Sequence, residues 1–123
     1  MGTRAIIRFF DDRETEPFAA MYEQCDGYPS RLGVELQRLY AEHGKGSNGM
    51  ACFAATVVSK LKKGPFGTYL IRPNTRVERA LYTYDLRLQP EEGTGGRMHC
   101  RLWGYDGVST EYDGLLRDAP WKG

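Results

Sequence analysis

Ala80-Leu81-Tyr82-Thr83-Tyr84-Asp85-Leu86-Arg87-Leu88 carries the clearest period of two in the chain. Ala80, Tyr82, Tyr84, Leu86 and Leu88 fall on one side of an extended segment, with Arg79, Thr83, Asp85 and Arg87 on the other, as a half-buried strand requires. After the loop Pro90-Glu91-Glu92-Gly93-Thr94-Gly95-Gly96, the residues Met98, Cys100 and Leu102 alternate in the same way with Arg97, His99, Arg101 and Trp103. The two segments therefore read as a hairpin. A one-residue slip would turn every apolar side chain outward, so the register is restricted to even sums, among which the expected pairing sets Leu86 beside Cys100. It also sets Asp85 opposite Arg101, Arg87 opposite His99 and Thr83 opposite Trp103 on the outer face.

Upstream of this hairpin, Arg4 to Phe10 and Phe18 to Cys25 read as two strands joined by a polar connection, with a turn at Asp26-Gly27-Tyr28-Pro29. Leu32, Leu36, Leu39 and Tyr40 recur at helical spacing behind a Ser30 cap, and Gly44 suits the C′ position. A second helix, capped by Ser47 or Asn48, carries the stripe Met50, Phe53, Ala54, Val57, Val58 and Leu61. Small residues on its reverse side, Ala51, Cys52 and Ala55, predict that it is the most buried helix. Lys60, Lys62 and Lys63 crowd its last turn, where the helix dipole favours cations, and Gly64-Pro65 stops it.

Thr68 to Ile71 reads as a short strand. Tyr105 to Gly114 reads as turns, and the end of the chain from Leu115 to Gly123 as either one helical turn or a frayed, loosely ordered tail over 115–123, with Trp121 suggesting that it docks. The order ββααβββ predicts an α+β fold, with an antiparallel sheet of about five strands and two helices packed on one face. A single domain over 1–123 suits the length.

The 123 residues include 17 Lys or Arg and 16 Asp or Glu, and 41% are hydrophobic, enough for a real core. A net charge of +1 argues against dedicated duplex DNA binding. Arg supplies 12 of the 17 basic residues, a bias towards planar donors that suit carboxylate, phosphate or aromatic partners. No apolar run approaches the ~18 residues of a membrane span, so no membrane partner is expected and a cytoplasmic location is. Cys25, Cys52 and Cys100 show no paired or zinc-ligand spacing and read as reduced thiols; neither a metal site nor any cofactor is expected.

Gly44-Lys45-Gly46-Ser47-Asn48-Gly49 satisfies a G-x-G-x-x-G pattern before a helix, where Lys45, Ser47 and Asn48 would cradle an anion. A dinucleotide fingerprint must follow a strand, whereas this loop joins two helices, and an ordinary turn explains the same residues. The outer face of the hairpin is the stronger candidate. Arg87, Arg97, His99, Arg101 and Trp103 interleave cations with an aromatic ring, an arrangement able to stack bases, grip phosphates or seat an acidic protein surface.

The opening Met1-Gly2-Thr3-Arg4-Ala5-Ile6-Ile7 and the segment Gln24-Cys25-Asp26-Gly27-Tyr28-Pro29 with its following helix form a second cluster. Together they resemble a family of small uncharacterised proteins of bacteriophages and large viruses. Members begin Met-Gly-Thr-Arg and carry a strand ending in Asp-Gly-Tyr-Pro. Many place His where this chain has Gln24. The resemblance implies a viral source rather than a reaction, and it marks Arg4, Gln24, Asp26 and Tyr28 as an alternative polar pocket.

The first functional expectation is therefore a small virus-encoded binding protein without catalysis of its own. It would dock a host or viral macromolecule, a protein or nucleoprotein, as host-defence and CRISPR inhibitors do. The alternative is a small enzyme or a protein binding a nucleotide or other small anionic ligand near Asp26-Gly27-Tyr28-Pro29.

Overall fold

A computed structural model describes residues 2–44, 48–75, 80–89, 97–104 and 109–122. Strands β1 (Ala5–Phe10) and β2 (Ala19–Glu23) come first. A π-helical turn at Pro29–Gly33 then leads into α1 (Val34–His43), followed by α2 (Met50–Leu61). Strands β3 (Thr68–Ile71), β4 (Tyr82–Gln89), β5 (Arg97–Trp103) and β6 (Thr110–Leu115) complete the sheet, and a 3-10 turn spans Leu116–Asp118. The fold is α+β, with one six-stranded sheet in the order β3-β2-β1-β4-β5-β6.

Two features differ from the expected five-stranded antiparallel sheet. β1 and β4 lie side by side in parallel, Ala5 beside Tyr82 through Phe10 beside Arg87, so the sheet is mixed. A period of two tells which face a residue takes but not which strand lies alongside, and this pairing joins segments some seventy residues apart. The other difference is β6, formed within the segment from Tyr105 to Gly114 and just beyond it that the sequence presents as turns. Its Tyr112 and Gly114 pair with Leu102 and Cys100, and a register shift beside Trp103 absorbs the irregular pattern. The β4–β5 register is the expected one, with Leu86 beside Cys100, Asp85 beside Arg101, Arg87 beside His99 and Thr83 beside Trp103.

Both helices pack on one face. Leu32, Leu36 and Leu39 on the first helical segment, with Met50, Phe53, Ala54 and Val57 of α2, meet Ala5, Ile7, Phe9, Met21, Tyr84, Leu86, Met98, Cys100 and Leu102 from the sheet. Side chains of this size each stabilise the fold by roughly 1.5–3 kcal/mol when fully buried. The helices touch through Tyr40 and Phe53, edge to face at 6.0 Å. Contrary to expectation, α2 is not buried all round: Ala51, Cys52 and Ala55 face outward. Its stripe points at the sheet, and small residues on the reverse side simply leave that side thin.

The helix ends also depart from the cap reading. Gly49, with φ +86°, occupies the N-cap of α2 and no side chain bonds the first turn; Asn48 is exposed just before it, and Ser47 lies outside the described residues. Gly44 keeps a right-handed φ of −59°. It is required for space, because a Cβ there would run into the Tyr40 ring.

Of the two readings of the segment after β6, the helical turn is the one formed, and the segment docks through Trp121. Gln37 Nε2 donates to the carbonyls of Leu116 and Ala119, both at 2.9 Å. Trp121 meets Tyr84 at 6.0 Å and Tyr112 at 5.5 Å, edge-on to both. The Trp121 ring also fills the place a Cβ on Gly33 would need.

Candidate binding groove

Alternation along the strands sends Arg8 and Phe10 of β1, Asp85 and Arg87 of β4, His99, Arg101 and Trp103 of β5, and Asp113 of β6 to the face opposite the helices. The register then lines up Arg8, Asp85, Arg101 and Asp113 in one row across four strands, with alternating charge. They lie in an open groove of about 410 Å³, with Thr15, Glu16 and Pro17 from the β1–β2 connection along one side.

The contacts do not simply follow the row. Asp85 is held from β1, not from β5: Arg8 donates Nε to Oδ1 at 2.6 Å and an Nη to Oδ2 at 2.7 Å, a bidentate pair. Trp103 Nε1 donates to the same Oδ2 at 2.7 Å. Asp113 approaches His99 Nε2 at 2.6 Å through Oδ1. Arg101, flanked by two carboxylates in the register, has no carboxylate partner among the described residues. Its guanidinium carbon lies 4.0 Å from the centroid of the Trp103 ring, and it donates weakly to Thr110 Oγ1 at 3.1 and 3.4 Å.

Arg87 has a different task. One of its nitrogens donates to the carbonyls of Asp11, Asp12 and Glu14, at 2.7, 3.0 and 2.7 Å, and its guanidinium covers Phe10 at 4.7 Å. It pins the β1–β2 connection to the sheet and so fixes the wall of the groove. Three arginines in the lining face three carboxylates, Glu16, Asp85 and Asp113, so the groove is charge-balanced rather than basic. A balanced lining gives little long-range attraction for a phosphate backbone.

Of the residues proposed from the sequence for this face, Arg87, His99, Arg101 and Trp103 meet in the groove, whereas Arg97 sits exposed at the start of β5, opposite Gln89. Arg79 lies outside the described residues, as do Lys45 and Ser47 of the glycine-rich loop. Arg8 and Asp113 belong to the groove and were missed. A lone arginine within Ile6-Ile7-Arg8-Phe9-Phe10 was the available signal for the first; Asp113 was hidden in a segment read as turns.

The alternative pocket is not assembled as expected. Asp26 lines a cavity of about 200 Å³ with Glu23, Cys25, Arg31, Glu35 and Lys63, but Arg4, Gln24 and Tyr28 do not. Their backbones serve the fold instead: Leu81 N–H donates to the Arg4 carbonyl, Gln24 N–H to that of Gly67, and Arg31 and Leu32 N–H to that of Tyr28. Asp26 takes a left-handed φ of 60° and lies 3.6 Å from Arg31. Burial pushes the Glu23 carboxyl up from its ordinary value, partly opposed by a hydrogen bond from Thr68 and the nearby Lys62.

Among the described residues no cluster of three or more His, Cys, Asp or Glu could hold a metal ion, and no helix is long and apolar enough to cross a membrane. No protein-family model, curated protein or solved structure matches the chain.

Proposed function

We propose that the chain is a binding protein without catalysis of its own, virus-encoded as its opening segments suggest, which docks a protein or nucleoprotein partner in the outer-face groove. The observation that carries this reading is Arg101 held over the Trp103 ring, its guanidinium carbon 4.0 Å from the centroid, with no carboxylate partner among the described residues. The contact with Trp103 holds the guanidinium in place in advance, so little side-chain entropy is lost when a partner carboxylate or aromatic edge meets it. Trp and Arg are also the residue types that most often dominate interface energetics. Balanced charge in the lining favours a shaped protein surface over a bare phosphate backbone. Inhibition of a host defence system, CRISPR included, is one role such a surface would serve.

The test is capture from host lysate on immobilised protein, with Arg101→Glu and Trp103→Ala as comparisons. The wild type retains a partner that both variants release. Equal retention by all three proteins, or no partner at all, refutes the reading.

The second reading is a small enzyme or nucleotide-binding protein near Asp26. It is weaker, because only one of its four residues lines the cavity and Glu23, Asp26 and Glu35 there repel a phosphate. A thermal-shift screen over nucleotides and phosphosugars separates the two, since ligand at 100 times its Kd adds about 2.7 kcal/mol.

A further inference from the structure

All the large hydrophobic side chains that stand exposed among the described residues gather at one edge of the sheet. Tyr69 and Leu70 belong to β3, Phe66 precedes it, and Phe18 enters β2 at the end where β3 finishes. Leu70 is 72% exposed and Phe66 79%. Among the described strands β3 is terminal and is paired with β2 alone.

The direction of its backbone groups follows from one bond. Gln24 N–H donates to the Gly67 carbonyl at 2.8 Å, so in this antiparallel ladder Tyr69 and Ile71 turn their polar groups towards β2. Thr68 and Leu70 turn theirs away. Lys62 Nζ, reaching round from the end of α2, accordingly caps the outward Thr68 carbonyl at 3.1 Å and lies 5.5 Å from the Tyr69 ring. The N–H and C=O of Leu70 point to the open edge.

Charge decides what fits. Lys62, Lys63 and Arg72 are exposed around this strand, and none lies within ion-pair distance of a carboxylate among the described residues. A second copy would bring the same cations against themselves. A lipid surface would leave the outward amide and carbonyl of Leu70 unpaired in hydrocarbon, at a cost of several kcal/mol per group. An extended peptide answers both needs, because its backbone pairs with Leu70 while its side chains alternate between apolar and acidic.

We propose that the open edge of β3 takes an acidic, partly apolar peptide segment as a seventh strand. The incoming backbone pairs with the outward groups of Leu70, and its N–H displaces Lys62 from the Thr68 carbonyl. The freed ammonium, with Lys63 and Arg72, then meets the peptide carboxylates. Apolar side chains of the segment cover Leu70 on one face and Tyr69 on the other. This surface lies at the opposite end of the sheet from β5 and β6 and does not depend on the groove.

The experiment is fluorescence anisotropy with a labelled Glu-Thr-Val-Asp-Val-Thr-Glu-Gly peptide and a control carrying Lys at each acidic position. The acidic peptide binds at least about tenfold tighter than the control at low salt, and added salt weakens it. Leu70→Pro removes a donor that β2 does not use, so its melting temperature stays near wild type while binding falls by about tenfold or more. Lys63→Glu combined with Arg72→Glu, both on the surface, lowers affinity for the acidic peptide and raises it for the control. Absence of binding up to ~1 mM peptide overturns the proposal. So does equal affinity for both peptides, wild-type binding by either variant, or dimerisation seen by light scattering in place of peptide binding.

Discussion

Replacing Asp85 with Ala removes a carboxylate that accepts three hydrogen bonds, two from Arg8 at 2.6 and 2.7 Å and one from Trp103 at 2.7 Å. The Asp85 side chain is only 13% exposed and that of Arg8 31% exposed, so water cannot fully replace what is lost. A charge-assisted hydrogen bond contributes ~1.5–3 kcal/mol, and stranding a buried charge costs ~3–5 kcal/mol. The partial exposure of Arg8 places the expected loss near the lower end, at about 3 kcal/mol. For a chain of this length that lowers the melting temperature by roughly 10 °C. Differential scanning calorimetry reads it directly. The double variant Arg8→Met with Asp85→Ala recovers part of the loss, since no unpaired guanidinium remains. A single-variant loss below about 1 kcal/mol refutes the reasoning, because the pair would then behave as an ordinary solvated ion pair.

Three further outcomes follow from the same contacts. Cys25 and Cys52 are exposed whereas Cys100 is buried, with its thiol pushed up by burial, so a thiol reagent at neutral pH modifies two cysteines quickly and the third only on unfolding. Glu23 titrates above its ordinary value in the fold, so its contribution to stability is complete below the unfolded value of 4.5 and is lost as pH rises through the folded value. Glu23→Gln, which keeps an acceptor for Thr68, therefore flattens melting temperature against pH above 4.5 and raises it at neutral pH; an unchanged profile counts against this. Gly33→Ala would place a Cβ 2.6 Å from the Trp121 ring, expelling it at a cost of about 1–3 kcal/mol, visible as a red shift in tryptophan emission.

Local signals made much of this molecule legible. The alternation of Tyr82, Tyr84, Leu86 and Leu88 against Met98, Cys100 and Leu102 specified the hairpin and the parity of its register, because a one-residue slip would expose the buried face, and the observed pairing is the expected member of that set. The stripe Met50, Phe53, Ala54 and Val57 pointed α2 at the sheet for the same reason. What stayed hidden was the identity of non-local neighbours. Nothing in Ile6-Ile7-Arg8-Phe9-Phe10 says that Arg8 will meet Asp85, and without that parallel pairing Asp85 looked like the partner of Arg101. The true arrangement gives Asp85 to Arg8 and leaves Arg101 to stack on Trp103, so one long-range neighbour changed the reading of the whole face. β6 escaped notice because Asp113-Gly114 reads as a turn wherever it stands, and the pairing with β5 overrides that preference.

The parallel seam between β1 and β4 also bears on how the chain is made. While a ribosome has delivered only the first seventy or so residues, β2 can zip to β1 and both helices can begin to gather on them, yet the far flank of β1 stays unmatched until Tyr82 onward emerges. That flank is the centre of the finished sheet, with Ile7 and Phe9 needing β4 to complete their surroundings. Closing so distant a contact is slow compared with forming a hairpin. A half-sheet without β4 thus presents an unpaired strand flank, and the arrival of β4 turns that edge into an interior.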